Sequence, residues 1–212
     1  ATLPGITEDV FTTGLDADYA AIEAACDDVL GQIAGADEVR VTAPAGTDIT
    51  FGIGDREWLS DTGMVREPGD FSNLPAGEVF VAPETATGTF VVDGTMMPHG
   101  LLDDGQTLRF EVEDGLVTEI GDDAIRADVE AAVEAVGDAA YNLAELGIGT
   151  NVGVEELVGS VLLDEKAGGT VHIAIGDNAG IGGETDAPLH LDGIIRNPTV
   201  YADGEPIDLP SA

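Results

Sequence analysis

Apolar residues recur at three- and four-residue steps between Asp16 and Ala34, where Tyr19, Ile22, Cys26, Val29, Leu30 and Ile33 share one side of a helical wheel. The spacing predicts an amphipathic helix, capped by Asp16 or Asp18 and stopped at Gly35. The period then drops to two. Val39–Val41 and Ile49–Ile53 alternate around Pro44-Ala45-Gly46-Thr47-Asp48, which predicts a hairpin. Residues 54–76 hold Gly, Asp, Pro and Ser around Trp58 without a period and predict loop. Strands are expected at Val79–Val81 and Thr89–Val92. Leu108, Phe110 and Val112 face Leu116, Thr118 and Ile120 across Glu113-Asp114-Gly115, a strong hairpin signal.

Residues 122–146 predict a long helix, with Ile125, Val129, Ala132, Val133, Val136, Ala140 and Leu143 as its stripe and Gly147 as its stop. A second helix is expected from Val154 to Lys166. Strands follow at Thr170–Ile175 and Leu189–Ile195, separated by the Gly-rich segment 176–188. No internal repeat or sharp boundary divides the 212 residues. The expected fold is α+β, a mixed, curled, barrel-like sheet flanked by helices within one domain.

Charge narrows the setting. Seven Lys and Arg stand against 42 Asp and Glu, a net charge of −35. Nucleic acid and anionic membrane surfaces are excluded as partners, because both repel such a surface. The acids lie between apolar periodic segments rather than in a tail. Molar salt shortens the Debye length to about 3 Å and relieves their mutual repulsion. The composition therefore predicts a halophilic, cytoplasmic protein of a salt-accumulating cell. Cys26 is the single cysteine, which excludes an intrachain disulfide and a thiolate zinc site. No apolar run approaches the roughly 20 residues of a membrane span.

Candidate chemistry sits mainly in the last third. In Val171-His172-Ile173-Ala174-Ile175 the period of two turns His172 away from the apolar face. In Leu189-His190-Leu191-Asp192 the same rule sends His190 and Asp192 together to one face, where an imidazole and a carboxylate can hold a cation. Two acids also break the local pattern. Glu145, at the expected helix C-terminus, opposes the helix dipole and calls for a cation. Glu78 opens a strand among apolar neighbours and, if buried, needs a partner.

Four segments in register resemble the sequence blocks of the M29 family of metal-dependent aminopeptidases: 73–83 (NLPAGEVFVAP), 142–151 (NLAELGIGTN), 163–178 (LDEKAGGTVHIAIGDN) and 188–193 (PLHLDG). The resemblance implies that Glu78, Glu145, His172, His190 and Asp192 are ligands of a centre of two divalent ions, Zn, Co or Mn. It also places Glu165 as an acidic residue of the site. The family's Tyr shortly after the histidine of the third block has no counterpart here, so one ligand or transition-state donor is either missing or replaced, with Asp177 or a water as the candidates. Leu3-Pro4-Gly5-Ile6-Thr7-Glu8 resembles the junction after an N-terminal α/β domain. The chain is thus expected to be the C-terminal, metal-bearing part, residues 1–212, of a longer enzyme.

The implied activity is that of an aminopeptidase, removing the N-terminal residue of peptides with hydroxide activated between two metal ions. Glu165 would carry the proton to the leaving amine, or Glu145 if it does not bridge the ions. Peptides are the implied substrates, and a homodimer is the implied assembly. The alternative is a catalytically silent, salt-adapted structural protein or subunit that keeps the fold.

Overall fold

A computed structural model describes residues 17–69 and 71–211, and Asp16 and the Leu3–Glu8 block lie outside them. The first helix, α1 (Tyr19–Ile33), starts at Asp18, whose carboxylate accepts from the Ala20 and Ala21 N–H groups. It buries Ile22, Cys26, Val29 and Ile33, four members of the expected stripe.

Among the described residues, fourteen strands form two seven-stranded sheets. The first sheet contains β1 (Glu38–Thr42), β2 (Asp48–Gly52), β5 (Thr85–Val92), β8 (Leu108–Glu113), β9 (Leu116–Ile120), β13 (Thr199–Ala202) and β14 (Glu205–Pro206), in the order β14-β13-β1-β2-β5-β8-β9. The second contains β3 (Leu59–Asp61), β4 (Glu78–Val81), β6 (Thr95–Met96), β7 (Gly100–Leu101), β10 (Leu143–Gly149), β11 (Val171–Gly176) and β12 (His190–Ile195), in the order β3-β4-β10-β11-β12-β6-β7. All named pairs are antiparallel. The fold is α+β as expected, but the strands separate into two sheets and do not close into a barrel. Two apolar faces must be buried, and one continuous core joins both sheets with α1 and α2 (Asp123–Val136). Phe90 and Phe110 stack within it, with ring centroids 4.4 Å apart.

The β8–β9 hairpin forms across Asp114 and Gly115, both at positive φ (50° and 81°), as a two-residue primed turn demands. A bulge between Glu111 and Val112 shifts the register, so Val117 and Ile120 point inward and Leu116 is exposed, correcting the expected inward set.

Two helices are shorter than their patterns suggested. The long one ends at Val136, where Gly137 adopts φ 63°. A 3-10 turn over Gly137–Tyr141 follows, and the chain then enters β10. Glu145 therefore lies in a central strand, not at a helix end. β10 is buried along its whole length, so its residues other than Glu145 are apolar or small on both faces and the period of two is hidden. The helix expected over 154–166 shrinks to α3 (Val161–Asp164). Gly159 at φ 83° interrupts it, and the buried Asp164 carboxylate takes the Val158 and Gly159 N–H groups, holding a loop where helix was expected. Among the described residues no helix is long and apolar enough to cross a membrane.

Candidate metal centre

Four adjacent strands of the second sheet build one face of the molecule's polar interior. On β12, His190 and Asp192 sit opposite Gly176 and Ala174 of β11, and His172 of β11 sits opposite Gly147 of β10. Gly149 of β10 in turn faces Glu78 of β4. Directly opposed residues share a face, so Glu78, Glu145, His172, His190 and Asp192 meet over a floor of Gly147, Gly149, Ala174 and Gly176. The floor must be small. A Cβ on residue 147 would lie 2.0 Å from His172 Nε2.

Glu145 shares this face with Gly147 and Gly149 by plain alternation, and a bulge before it turns Leu143 the other way. Leu143 opposes Ile175 and Glu145 opposes Ala174, so Ala144 is an extra residue on β10. Leu143 and Glu145 would share a face in a regular strand; here Leu143 joins the core and Glu145 turns to the site.

The ligand atoms form two groups that share Glu145. Glu78, Glu145 and His172 bring one atom each within 4.8 Å of one another, and so do Glu145, His190 and Asp192. Glu145 Oε1 is 3.3 Å from His172 Nε2, and Oε2 is 3.4 Å from His190 Nε2. Glu78 Oε2 completes the first group at 3.3 Å from His172, and Asp192 Oδ1 the second at 3.3 Å from His190. His190 Nδ1 lies 2.7 Å from the Asp177 carbonyl; donating there leaves Nε2 with its lone pair toward the carboxylates. His172 Nδ1 is buried without a hydrogen-bond partner.

Lys166, which the sequence reading did not single out, enters this site. Its Nζ lies 2.5 Å from Glu78 Oε1 and 2.6 Å from Glu165 Oε1, with its side chain fully enclosed. Burial pushes Glu78 up to about 7 against the pull of Lys166, and it raises Glu165 as well. Burial also pushes Glu145 up, but hydrogen bonds from both imidazoles outweigh it and hold the carboxyl at about 2. For the histidines burial favours the neutral ring, yet Glu145 holds His172 at about 9 and Asp192 holds His190 at about 12. Burial likewise disfavours the Lys166 ammonium, but Glu165 and Glu78 raise its pKa above the ordinary value.

This donor set fits divalent cations. Glu78, Glu145, Glu165 and Asp192 outnumber the single ammonium by three charges once the imidazoles are neutral, and imidazole with carboxylate suits Zn, Co, Mn or Fe. In the metal-free chain, protons on the two rings supply the compensation that ions would otherwise give. Asp177 lies outside both ligand groups: its carboxylate accepts from the Ala187 N–H and its carbonyl orients His190. A cleft of about 260 Å³ opens onto the site, with Asn73, Phe80 and Ile181 beside the acids and His190. Asp61, opposite Glu78 across β3 and β4, accepts from the Ser72 hydroxyl and the Asn73 N–H and so places Asn73 there.

The sequence profile of the 2,5-dihydroxypyridine 5,6-dioxygenase (NicX) family matches residues 17–208. The chain belongs to this family. A curated NicX-family relative, the 2,5-dihydroxypyridine 5,6-dioxygenase of Pseudomonas putida KT2440, is 25% identical over 183 residues, which cover 81% of this chain and 52% of the relative. The chain thus spans about half the length of that relative. The solved structure of the Pseudomonas putida dioxygenase matches with a TM-score of 0.76 at 23% identity, over 96% of this chain and 62% of that one. AmpT from Thermus thermophilus, an M29 aminopeptidase T, matches with a TM-score of 0.67 at 20% identity, over 98% of this chain and 62% of that one. The fold is therefore M29-like while the family is NicX, and the named relatives of both kinds are enzymes.

Proposed function

We propose that this NicX-family chain carries the centre of a two-ion aminopeptidase. The observation that carries the reading is the position of Glu145, which offers one carboxylate oxygen to each of two ligand groups. No single group within 4.8 Å contains both histidines among the described residues, whereas a mononuclear two-histidine, one-carboxylate iron site needs them together.

Divalent ions bound here would polarise a scissile carbonyl and lower the pKa of water. The chain's own residues do the rest. Glu145, shared by both groups, fixes the two positions relative to each other, and Asp192 completes the second. Glu165 lines the cleft, and burial raises its pKa, which suits a carboxyl that takes a proton and hands it to a leaving amine. Phe80 and Ile181 give the cleft an apolar wall for the side chain of an N-terminal residue. The acids facing the cleft would hold the free α-ammonium of a peptide.

A second reading, ring cleavage of a dihydroxypyridine, is favoured by the family match over residues 17–208. Two assays in molar KCl separate them. Release of a chromophore from a leucyl substrate with cobalt, zinc or manganese supports the peptidase. Loss of 2,5-dihydroxypyridine with ferrous iron and dioxygen, without amine release, replaces it with the dioxygenase. Activity in neither assay returns the chain to the silent alternative.

A further inference from the structure

Lys166 stands against one ligand group and not the other. Its Nζ holds Glu78 Oε1 at 2.5 Å, so Glu78 has only Oε2 free, 3.3 Å from His172 Nε2. The second contact, to Glu165 Oε1 at 2.6 Å, pins the ammonium in place. The chain around it is fixed as well. The Lys166 carbonyl accepts from the Asn151 N–H, and a Cβ on Gly149 would meet the Ala167 carbonyl. Among the described residues the Glu145–His190–Asp192 group has no ammonium paired to it: the ion pairs of His190 and Asp192 run among these three residues, and Lys166 reaches their side only through Glu165. It is also the more open group, with about a third of the His190 side chain exposed.

We propose that Lys166 makes the two ion positions unequal, weakening the Glu78–Glu145–His172 position for a divalent ion so that the Glu145–His190–Asp192 position fills first. A fixed ammonium repels a second cation most strongly in a buried, weakly screened place. It also withholds one of the oxygens an incoming ion could use. Lys166 acts here as a positioning residue through Glu78 and touches no substrate. The inference rests on the two-ion reading above.

The test is a titration of the chelator-stripped protein with Co²⁺, followed by its visible absorbance and by calorimetry in molar KCl. The wild-type chain is expected to take up two ions in two steps, with dissociation constants at least about tenfold apart. Lys166→Met, close in length and uncharged, should tighten the weaker step by about tenfold or more and leave the tighter step nearly unchanged, while Lys166→Arg keeps the gap. A Lys166→Met gap equal to the wild-type gap overturns the proposal. The assignment is checked without touching Lys166: His172→Ala should abolish the weaker step and Asp192→Asn the tighter one, and the reverse pattern also overturns it. Melting of each stripped and cobalt-saturated variant shows whether it is folded. A single ion at saturation in the wild-type chain defeats the two-ion reading itself. Two ions of equal affinity leave that reading standing and defeat the role of Lys166.

Discussion

The two sheets of this molecule carry their polar residues in opposite ways. In the first sheet, β1, β2 and β8 alternate buried and less buried positions, and their acids Glu38, Asp48 and Glu113 are exposed to water. In the second sheet β10 and β11 are buried at every position, yet Glu145 and His172 lie within them, with Glu78 buried on neighbouring β4. Charge on the first sheet is solvated, whereas charge on the second is enclosed and must be matched group by group. The first sheet is a scaffold that water tolerates; the second concentrates unpaid electrostatics at one place, where ions can bind.

Substitutions should therefore sort by sheet. On the two-ion reading His190→Ala removes a candidate ligand but no core contact, and even a residue that merely supports a ligand costs about 10–100-fold when lost. Turnover should fall by more than that range, with the melting temperature nearly unchanged. Phe110→Ala in the first sheet should do the reverse, losing about 3–5 kcal/mol of stability while turnover per folded molecule holds. Kinetics paired with thermal melting check this contrast, and equal activity losses in both variants would erase it.

Gly147→Ala probes the floor rather than the ligands. The added methyl displaces the His172 ring, so metal affinity should fall by about tenfold or more. Elemental analysis after dialysis against a weak chelator measures it. Retention of full metal content would show that the ring can move aside.

The pH response tests the enclosed charges. His172 is raised from 6.5 to about 9, so its contribution to the metal-free fold is complete below 6.5 and is lost as pH rises through 9. Glu78, raised from 4.5 to about 7, acts in the same direction over its own window. Glu145, lowered from 4.5 to about 2, gives stability that is present above 4.5 and lost as pH falls toward 2. The stripped protein should thus melt lower at pH 9 than at pH 6, by on the order of 5 °C. With metal present the trend should invert, because an ion needs the imidazoles unprotonated. Parallel melts with and without cobalt decide it.

Salt acts on the exposed acids instead. At a net charge of −35, transfer from molar to millimolar KCl should lower the melting temperature by a few degrees, as repulsion between carboxylates becomes unscreened. The enclosed site should respond less, so metal stoichiometry should persist until the fold is lost. A melting temperature that is flat or rising as salt is removed contradicts the role given to the charge.

The same division governed what the sequence made legible. Strands with one wet face, such as β1, β2 and β8, announced themselves by alternation, and α1 by its three- and four-residue steps. β10 did not. Apart from Glu145 it holds only Leu, Ala, Ile and Gly, its first residue Leu143 continued the helical stripe, and Gly147 passed for a helix stop although it makes room for His172. The His190–Asp192 pair was visible from strand parity alone. From the residues alone Glu78 stood out as an acid among apolar neighbours and Glu145 as an acid at an expected helix end; the M29 resemblance joined them, and their meeting rests on the register of four strands. Lys166 gave no signal, because a lysine in a predicted amphipathic helix is ordinarily solvated.

Ala144 has a consequence for how such a chain can change by the gain or loss of a residue. Removing it would restore plain alternation from Leu143 to Gly149, with Leu143, Leu146 and Ile148 still inward and Glu145 still toward the metals. The carbonyl that would disappear is the one that accepts from Asn178 Nδ2. Asn178 in turn ties down the turn bearing Ile181, through its own carbonyl and the Ile181 N–H. A chain one residue shorter would keep the candidate ligands in register and lose one of the hydrogen bonds that hold the turn beside the cleft. On the two-ion reading, this single position touches the cleft wall and not the candidate ligands, so an indel here would reshape the wall and leave the acids and histidines in place.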